Sequence, residues 1–369
     1  MKLKVLELFG GIGACSKALE RLGIDYEIAD YVEIDKYAVK SFNAIHNTNF
    51  EPQDICEWNK DIEVDLIMHG SPCQDFSLAG KQAGGDEGSG TRSSLMYETI
   101  RIVDKLKPKY VIWENVKNLL SKKHIHNFNA YLETMEKLGY QNYYQVLNAK
   151  DYGIPQNRER VFTISIRIDT LFENATFEKI DNTMVGTIQH FEFPPKQELK
   201  LRLKDMLEDN VDDKYYLSDK MINFFYKNEQ VQKEKGNGFR FGVSDGNVVA
   251  KAVTTRAGSR MDDNFIKYPC VIGGVGEKKS NGGTQWYQQD RIYDNNIGLS
   301  LSTTAQPYYP DKQLRIRKLT PKECWRLMGF DDEDYERAAQ VNSNTQLYKQ
   351  AGNSIVVNVL EAILTNLLK

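Results

Sequence analysis

Cys73 stands in Gly70-Ser71-Pro72-Cys73-Gln74, just after a short apolar run, Val64 to Met68. The proline sets the chain direction, so the cysteine opens a loop instead of being buried in that run. A thiol placed there can serve as a nucleophile, whereas the same residue inside the run would be a small core hydrophobe. Five glycines (80, 84, 85, 88 and 90) follow between Ser77 and Ser94. A glycine-rich loop beside a nucleophile suits a closing lid. Glu114, in Trp113-Glu114-Asn115-Val116, ends another apolar run and is a candidate proton donor. In Gln156-Asn157-Arg158-Glu159-Arg160 the two arginines alternate along an expected strand and share a face. Two guanidiniums on one face suit an anionic or carbonyl-bearing ligand.

A second set of residues suits a nucleoside. Phe9-Gly10-Gly11-Ile12-Gly13 lies between an apolar run and an amphipathic one, where glycines let the backbone turn tightly against a ligand. Glu33 ends the next apolar run, where a carboxylate can accept both hydroxyls of a ribose. Asp54 follows the next connection and can accept from an adenine amino group. At successive strand ends the two acids describe a nucleoside site at the carboxyl edge of a parallel sheet. Ser16, three residues after Gly13, leaves a nicotinamide dinucleotide open on this loop alone.

The elements that must hold these groups follow from periodicity. Strands are expected at Val5 to Phe9, Glu27 to Glu33, Val64 to Met68, Tyr110 to Trp113, Tyr143 to Asn148 and Val161 to Ile168. Helices are expected at Ala14 to Leu22, Lys36 to Ile45, across Met96, Ile100, Val103 and Leu106, and at Asn129 to Leu138 with Gly139 as its C-cap. This βαβ rhythm predicts a parallel sheet with helices on both faces. Beyond about residue 185 the texture changes. Eleven of the 26 glycines lie between Gly236 and Gly298, and Gly236 to Lys318 carries 12 Lys+Arg against 7 Asp+Glu. That stretch reads as a second, loop-rich domain with a locally basic surface. Pro321 to Gly329 is expected as a helix, and Ile355, Val359, Ile363 and Leu367 mark a closing one.

The 369 residues, 41% hydrophobic and 27% charged, fit a soluble globular chain of about two domains. No apolar run approaches the ~18 residues of a membrane span, and the N-terminus does not read as a secretory signal. The five cysteines (15, 56, 73, 270 and 324) are scattered and form no Cys-x-x-Cys pair. This argues against a disulfide framework or structural zinc and for a reducing cytosol. A net charge of −3 excludes little, because nucleic-acid binding needs only a local basic face.

Taken together, the chain resembles the C5-cytosine-specific DNA methyltransferase family over its first 170 and last 55 or so residues, in the family's order. Phe9 to Gly13 resembles the S-adenosylmethionine loop, with Glu33-Ile34 at the ribose position and Asp54-Ile55 at the adenine position. Ser71 to Gln74 resembles the nucleophile block, Glu114 to Val116 the family's Glu-Asn-Val, and Gln156 to Arg160 its Gln-x-Arg-x-Arg. Arg317 to Pro321, running on to Met328-Gly329-Phe330, resembles the block beyond the recognition domain. Gln350-Ala351-Gly352-Asn353-Ser354 resembles the block that opens the closing helix. Two departures stand out: Ser71 where a second proline is common, and Gln53 where a glycine is common. The segment from about 185 to 316 does not match, as expected of a target-recognition domain. Ser300-Leu301-Ser302-Thr303-Thr304 is the nearest candidate for that domain's Thr-Leu pair.

The resemblance implies an α/β fold: a Rossmann-like S-adenosylmethionine-dependent domain (1–185), a smaller loop-rich target-recognition domain (186–325), and a hinge with the C-terminal helix returning to the catalytic domain (326–369). It implies a DNA (cytosine-5-)-methyltransferase without a metal. Cys73 would add to C6 of a cytosine, so that C5 attacks the methyl of S-adenosylmethionine; loss of the C5 proton and of the thiol restores the ring. Glu114 would meet N3, Arg160 the O2 and the thiolate, and Arg158 would order the site or meet the DNA backbone. Phe9, Gly10, Gly11, Ile12, Gly13, Glu33, Ile34, Asp54, Ile55, Asn353 and Ser354 would hold the cofactor. The cytosine must be flipped out of the duplex under the Ser77–Ser94 loop, with Lys81 and Arg92 on phosphates. Arg256, Arg260, Gln285 and Arg291 are candidate base or phosphate readers.

Double-stranded DNA is the expected partner, and the expected setting is the cytoplasm of a bacterial or phage-infected cell, acting as a monomer. A cognate restriction endonuclease on the same site is compatible with this reading. Three rivals remain: an RNA cytosine-5 methyltransferase, a non-catalytic reader, and an NAD-dependent oxidoreductase using Gly11-x-Gly13. The roughly 150 residues between Arg160 and Arg317 favour a duplex-DNA reader over the first. The presence of both Cys73 and Glu114 speaks against the second. The third leaves Cys73, Glu114 and the arginines unexplained. The target sequence is not legible.

Overall fold

The computed structural model describes residues 2–71, 95–173, 190–238, 240–268 and 315–368, together with the backbone of four short strands at 176–180, 183–187, 273–274 and 291–292. The chain opens with β1 (Leu3–Leu8), α1 (Ala14–Arg21), β2 (Tyr26–Val32), α2 (Lys36–His46) and β3 (Leu66–His69). It continues with α3 (Met96–Leu106), β4 (Tyr110–Val116), α4 (Ile125–Lys137), β5 (Tyr140–Asn148), β6 (Gln156–Asn157) and β7 (Glu159–Arg167). Gly139 follows α4 at φ 88, the left-handed conformation that suits a helix end.

Six strands form one sheet in the order β2-β1-β3-β4-β7-β5. The four strands β2, β1, β3 and β4 pair in parallel. The expected all-parallel sheet is corrected at one edge, because β7 runs antiparallel to both β4 and β5. The cause is the connection. Between Asn148 and Glu159 lie a 3-10 turn (Ala149–Tyr152), Gly153 to Pro155, β6 and Arg158, too little for the crossover helix a parallel partner needs.

Side chains alternate across the strands, so each face builds its own core. Val5, Leu66, Met68 and Ile112 pack with Ala18 and Leu19 of α1 and with Val359, Leu360 and Ile363 of the closing helix. Leu6, Leu8, Ile67, Val111 and Trp113 face Ile102 and Val103 of α3 and Phe128 and Tyr131 of α4. Helices therefore cover both faces, as the periodicity predicts.

After β7 come α5 (Ile168–Glu173), β8 (Thr176–Ile180), β9 (Thr183–Thr187), α6 (Asp219–Glu234), β10 (Val243–Ser244), β11 (Ala250–Lys251) and β12 (Phe265–Tyr268). Two further short strands, β13 (Gly273–Gly274) and β14 (Arg291–Ile292), lead to β15 (Arg315–Lys318). Strands β10, β12 and β15 form a small sheet. Phe225, Phe241, Met261, Phe265 and Ile316 make a separate core there. The sequence gives no sign of α6, because only Phe225 of its sixteen residues is buried. Phe191, Leu203, Met206 and Tyr215 are buried in the core of the large sheet.

The block at Arg317 owes its residue types to packing. Thr320 and Glu323 cap α7 (Pro321–Arg326) reciprocally, with proline at its first position. Glu323 also pairs with Arg317 at 2.7 Å, both fully buried, and accepts the Glu208 N–H at 2.9 Å. Two helices not anticipated follow, α8 (Asp332–Val341) and α9 (Asn344–Asn353), before α10 (Val357–Leu367). Gln350 to Asn353 thus ends α9 and does not open the closing helix. Ser354-Ile355-Val356 separates the two. Among the described residues no helix is long and apolar enough to cross a membrane.

Candidate active site

The carboxyl ends of β1, β3 and β4 meet the end of α9 in one cleft, lined by Glu7, Phe9 to Ile12, Gly70, Glu114, Asn353, Ser354 and Ile355 among others. The glycine loop enters it in a demanding conformation: Phe9, Gly11 and Gly13 all have positive φ, of 52, 57 and 81°. At Gly10 an added Cβ would stand 2.6 Å from the Tyr31 ring. Glycine is required there by close approach, and at Gly11 and Gly13 by the left-handed backbone.

Glu33 sits just beyond β2. Its two oxygens accept Gly11 N–H at 3.2 Å and Asp35 N–H at 2.8 Å, and burial raises its carboxyl above the usual range. Asp54 is not at a strand end, as expected, but in a turn well before β3. It is brought beside Glu33 by Gln53, whose N–H donates to the Glu33 carbonyl at 2.9 Å. The Gln53 amide also donates to Asp30 at 3.1 Å and to the Tyr31 carbonyl at 2.7 Å. Asp54 is exposed. Ile34 is 68% exposed and Ile55 only 4%, so Ile34 presents an apolar surface beside Glu33 while Ile55 belongs to the core.

Glu114, near the end of β4, is buried, and its Oε1 lies 3.0 Å from Arg160 Nε. Burial pushes its carboxyl pKa up, against the opposing pull of Arg160 and then Arg158. Register explains the pairing: β4 and β7 set Glu114 opposite Phe162, with Arg160 two residues along. The preceding residue, Trp113, donates its indole N–H to Ser71 Oγ at 3.0 Å. Ser71 is the last described residue before Pro72-Cys73. Cys73, with Pro72 and Gln74, lies outside the described residues, as do the Ser77–Ser94 loop with Lys81 and Arg92, Gln285, Ser300 to Thr304, and the side chain of Arg291.

The two arginines turn to different partners. Arg158 is buried, and its guanidinium donates to the carbonyls of Val253 at 3.1 Å, Gly352 at 3.1 Å and Ser354 at 2.9 Å. Gln156 does similar work: its amide donates to the Leu327 carbonyl at 2.7 Å and accepts Val253 N–H at 2.8 Å. Strand β11 pairs in parallel with β6 beside them. Gln-x-Arg-x-Arg therefore divides into two stitches and one guanidinium, Arg160, that faces Glu114.

One residue of the cleft goes unnoticed in the sequence. Glu7, on β1, is 2% exposed and accepts the N–H of Ser16 at 3.0 Å and its hydroxyl. Burial pushes its carboxyl up to about 7. Nothing but an acidic residue inside an apolar run could have flagged it. Ser16 is accordingly buried under the loop and does not face a ligand. Among the described residues no group of His, Cys, Asp and Glu could hold a metal ion.

The sequence profile of the C-5 cytosine-specific DNA methylase family matches residues 3–369. The orphan methyltransferase M.SPRI of Bacillus phage SPR is 33% identical, over all of this chain and 98% of that protein. The type II methyltransferase M2.ScrFI of Lactococcus lactis subsp. cremoris is 32% identical, over all of this chain and 99% of that one. Among solved structures, a DNMT2 variant from Spodoptera frugiperda superposes with a TM-score of 0.63 at 20% identity, covering both chains fully.

Proposed function

The chain belongs to the C-5 cytosine-specific DNA methylase family, and on that premise we propose that it methylates C5 of a cytosine flipped out of a specific duplex site, through a covalent bond between Cys73 and C6. The observation that carries this reading is buried Glu114, in the cleft shared by the glycine loop and Asn353-Ser354, paired at 3.0 Å with the partly exposed Arg160. No group in that cleft could reach a base still stacked in a duplex, so the base must leave the helix, at a cost of a few kcal/mol.

Glu114, its carboxyl raised by burial, is the group placed to give a proton to cytosine N3. Giving it up removes the charge that builds on the ring as Cys73 adds to C6. Arg160, paired with Glu114, donates to the cytosine O2. Arg158 is a positioning residue, fixing the strand that carries Arg160. After transfer the C5 proton and the thiol leave in turn and the ring is restored.

S-adenosylmethionine fits the donor set: Glu33 keeps carboxylate lone pairs for two ribose hydroxyls, Ile34 offers an apolar face to an adenine, and Asp54 is open to solvent. When bound it supplies the electrophilic methyl group. We assign Phe9 to Gly13, Glu33, Ile34, Asp54, Asn353 and Ser354 to its site, with Ile55 packed in the core beside Asp54. We assign 1–185 to the catalytic domain, 186–325 to target recognition and 326–369 to the hinge and returning helix. The separate aromatic core around Phe225 supports the middle unit. The enzyme acts as a monomer in the cytoplasm on double-stranded DNA, and the type II relative is consistent with a restriction endonuclease acting on the same site.

The test is expression in a bacterial host that lacks cytosine methylation, followed by bisulfite sequencing of the host DNA. Cytosines protected in one fixed context, and lost in Cys73→Ala, are the expected result. A soluble protein that leaves no protected cytosine would overturn the DNA reading and make tRNA the next substrate.

A further inference from the structure

We propose that the turn from Thr254 to Asp263 is a DNA-contacting element, with Arg256 and Arg260 on the phosphates flanking the flipped cytosine and Asp263 as the positioning residue that holds the turn in shape. The inference rests on the reading that duplex DNA is the substrate.

The turn is built around one buried side chain. Asp263 is 8% exposed, and its Oδ2 accepts the N–H groups of Ser259 at 3.0 Å and Arg260 at 2.9 Å. Its Oδ1 lies 3.4 Å from the Thr254 hydroxyl, and the Asp263 N–H returns to the Arg260 carbonyl at 3.2 Å. A carboxylate that organises main-chain donors in this way fixes where the intervening side chains point. Those side chains are cationic and polar. Arg256, Ser259 and Arg260 are exposed, and among the described residues neither guanidinium has a carboxylate within ion-pair distance.

The base of the turn is fixed against the catalytic cleft. A Cβ at Gly352 would stand 2.2 Å from the Thr255 nitrogen and 2.4 Å from the Thr254 carbonyl carbon. The backbone of the turn therefore lies directly on the end of α9. The next two residues, Asn353 and Ser354, line the cleft with Glu114. Arg158 ties the same two strands of chain together through Val253 and Gly352. On the other side Gly258, at φ +80, packs against the Lys318 side chain. On this proposal a duplex that delivers a base to Glu114 passes this turn, whose base packs beside the cleft-lining residues. The duplex phosphates are anions that these two exposed guanidiniums can meet.

The test compares wild type with Arg256→Ala, Arg260→Ala, the double variant, Asp263→Ala and Asp263→Asn. Binding to a 30-base-pair duplex carrying the protected context is measured from about 50 to 300 mM salt, and steady-state methylation is measured on the same DNA. Each lost phosphate contact is expected to reduce the slope of log K against log salt by about 1. The double variant should therefore lose about 2 from the slope and raise KM for DNA at least tenfold, with a much smaller fall in kcat. Asp263→Ala should approach the double variant, and Asp263→Asn, which keeps an acceptor oxygen, should recover part of the loss. An unchanged slope and KM in the double variant, with wild type active, would overturn the proposal while leaving the methyltransferase reading intact. A wild type inactive on every DNA would sink the reading itself. Should Asp263→Ala fail to fold, the two exposed arginines alone decide the outcome.

Discussion

The indole N–H of Trp113 donates to the hydroxyl of Ser71 at 3.0 Å, joining the residue before Glu114 to the residue two before Cys73. Both partners are buried. The bond ties the ends of β3 and β4 together where the proposed proton donor and nucleophile must meet. It also gives a physical role to one of the two positions at which the sequence departs from the common pattern, since a proline at 71 would offer no hydroxyl.

Ser71→Ala should leave the Trp113 N–H buried without its acceptor. The cost is about 1–3 kcal/mol, read as a Tm lowered by a few degrees. Turnover should fall as well, because the chain leading to Cys73 loses a tether. A variant as stable and active as wild type would show that the bond is idle.

Glu114→Gln keeps the shape of the side chain and removes its proton. Loss of general acid assistance should lower the single-turnover methylation rate by roughly 10²–10⁴-fold. The thermal shift caused by S-adenosylmethionine should persist. A rate within tenfold of wild type would remove Glu114 from the chemistry.

The two arginines should fail in different ways. Arg158→Ala strips the donor from three carbonyls, and at about 1–3 kcal/mol per unsatisfied group the main effect is on stability. Arg160→Ala, at a partly exposed position, should fold normally and lose turnover. Chemical denaturation of both variants beside their methylation rates separates the roles. Arg158→Lys should recover little, since one ammonium cannot reproduce a fork spanning three acceptors.

Stability should vary with pH through Glu7, whose carboxyl rises from 4.5 to about 7 on folding because it is buried. Below about pH 4.5 the group is protonated in both states. Between there and pH 7 the unfolded chain releases the proton while the folded one keeps it, so stability falls as pH rises and levels off above. The total is on the order of 3 kcal/mol at 1.36 per pKa unit. In Glu7→Gln that component should vanish, giving a flatter profile of unfolding midpoint against pH from 5 to 8. A slope unchanged in the variant would locate the dependence elsewhere.

Much of this was legible in the residues alone. The strands and helices of the first 170 residues follow from apolar spacing, because each packs through one face or one stripe. The glycine loop, Glu33 and Glu114 follow from their positions at strand ends, where a parallel sheet exposes its carboxyl edge, and Arg160 from the alternation of side chains along its strand. Helices such as α6 and α8 escaped because they bury few side chains and leave no apolar period.

What the tertiary structure alone decided are contacts between distant segments. The direction of β7 depends on a connection too short to cross over. Asp54 is held near Glu33 through its neighbour Gln53, whose amide spans back to β2. Arg158 and Gln156 turn out to be stitches, because their acceptors lie about 95 and 170 residues away in sequence. Glu7 becomes a raised carboxyl only when α1 closes over it. Local sequence specifies periodicity, turns and caps; which polar groups are desolvated, and by whom they are satisfied, is fixed only when the layers pack.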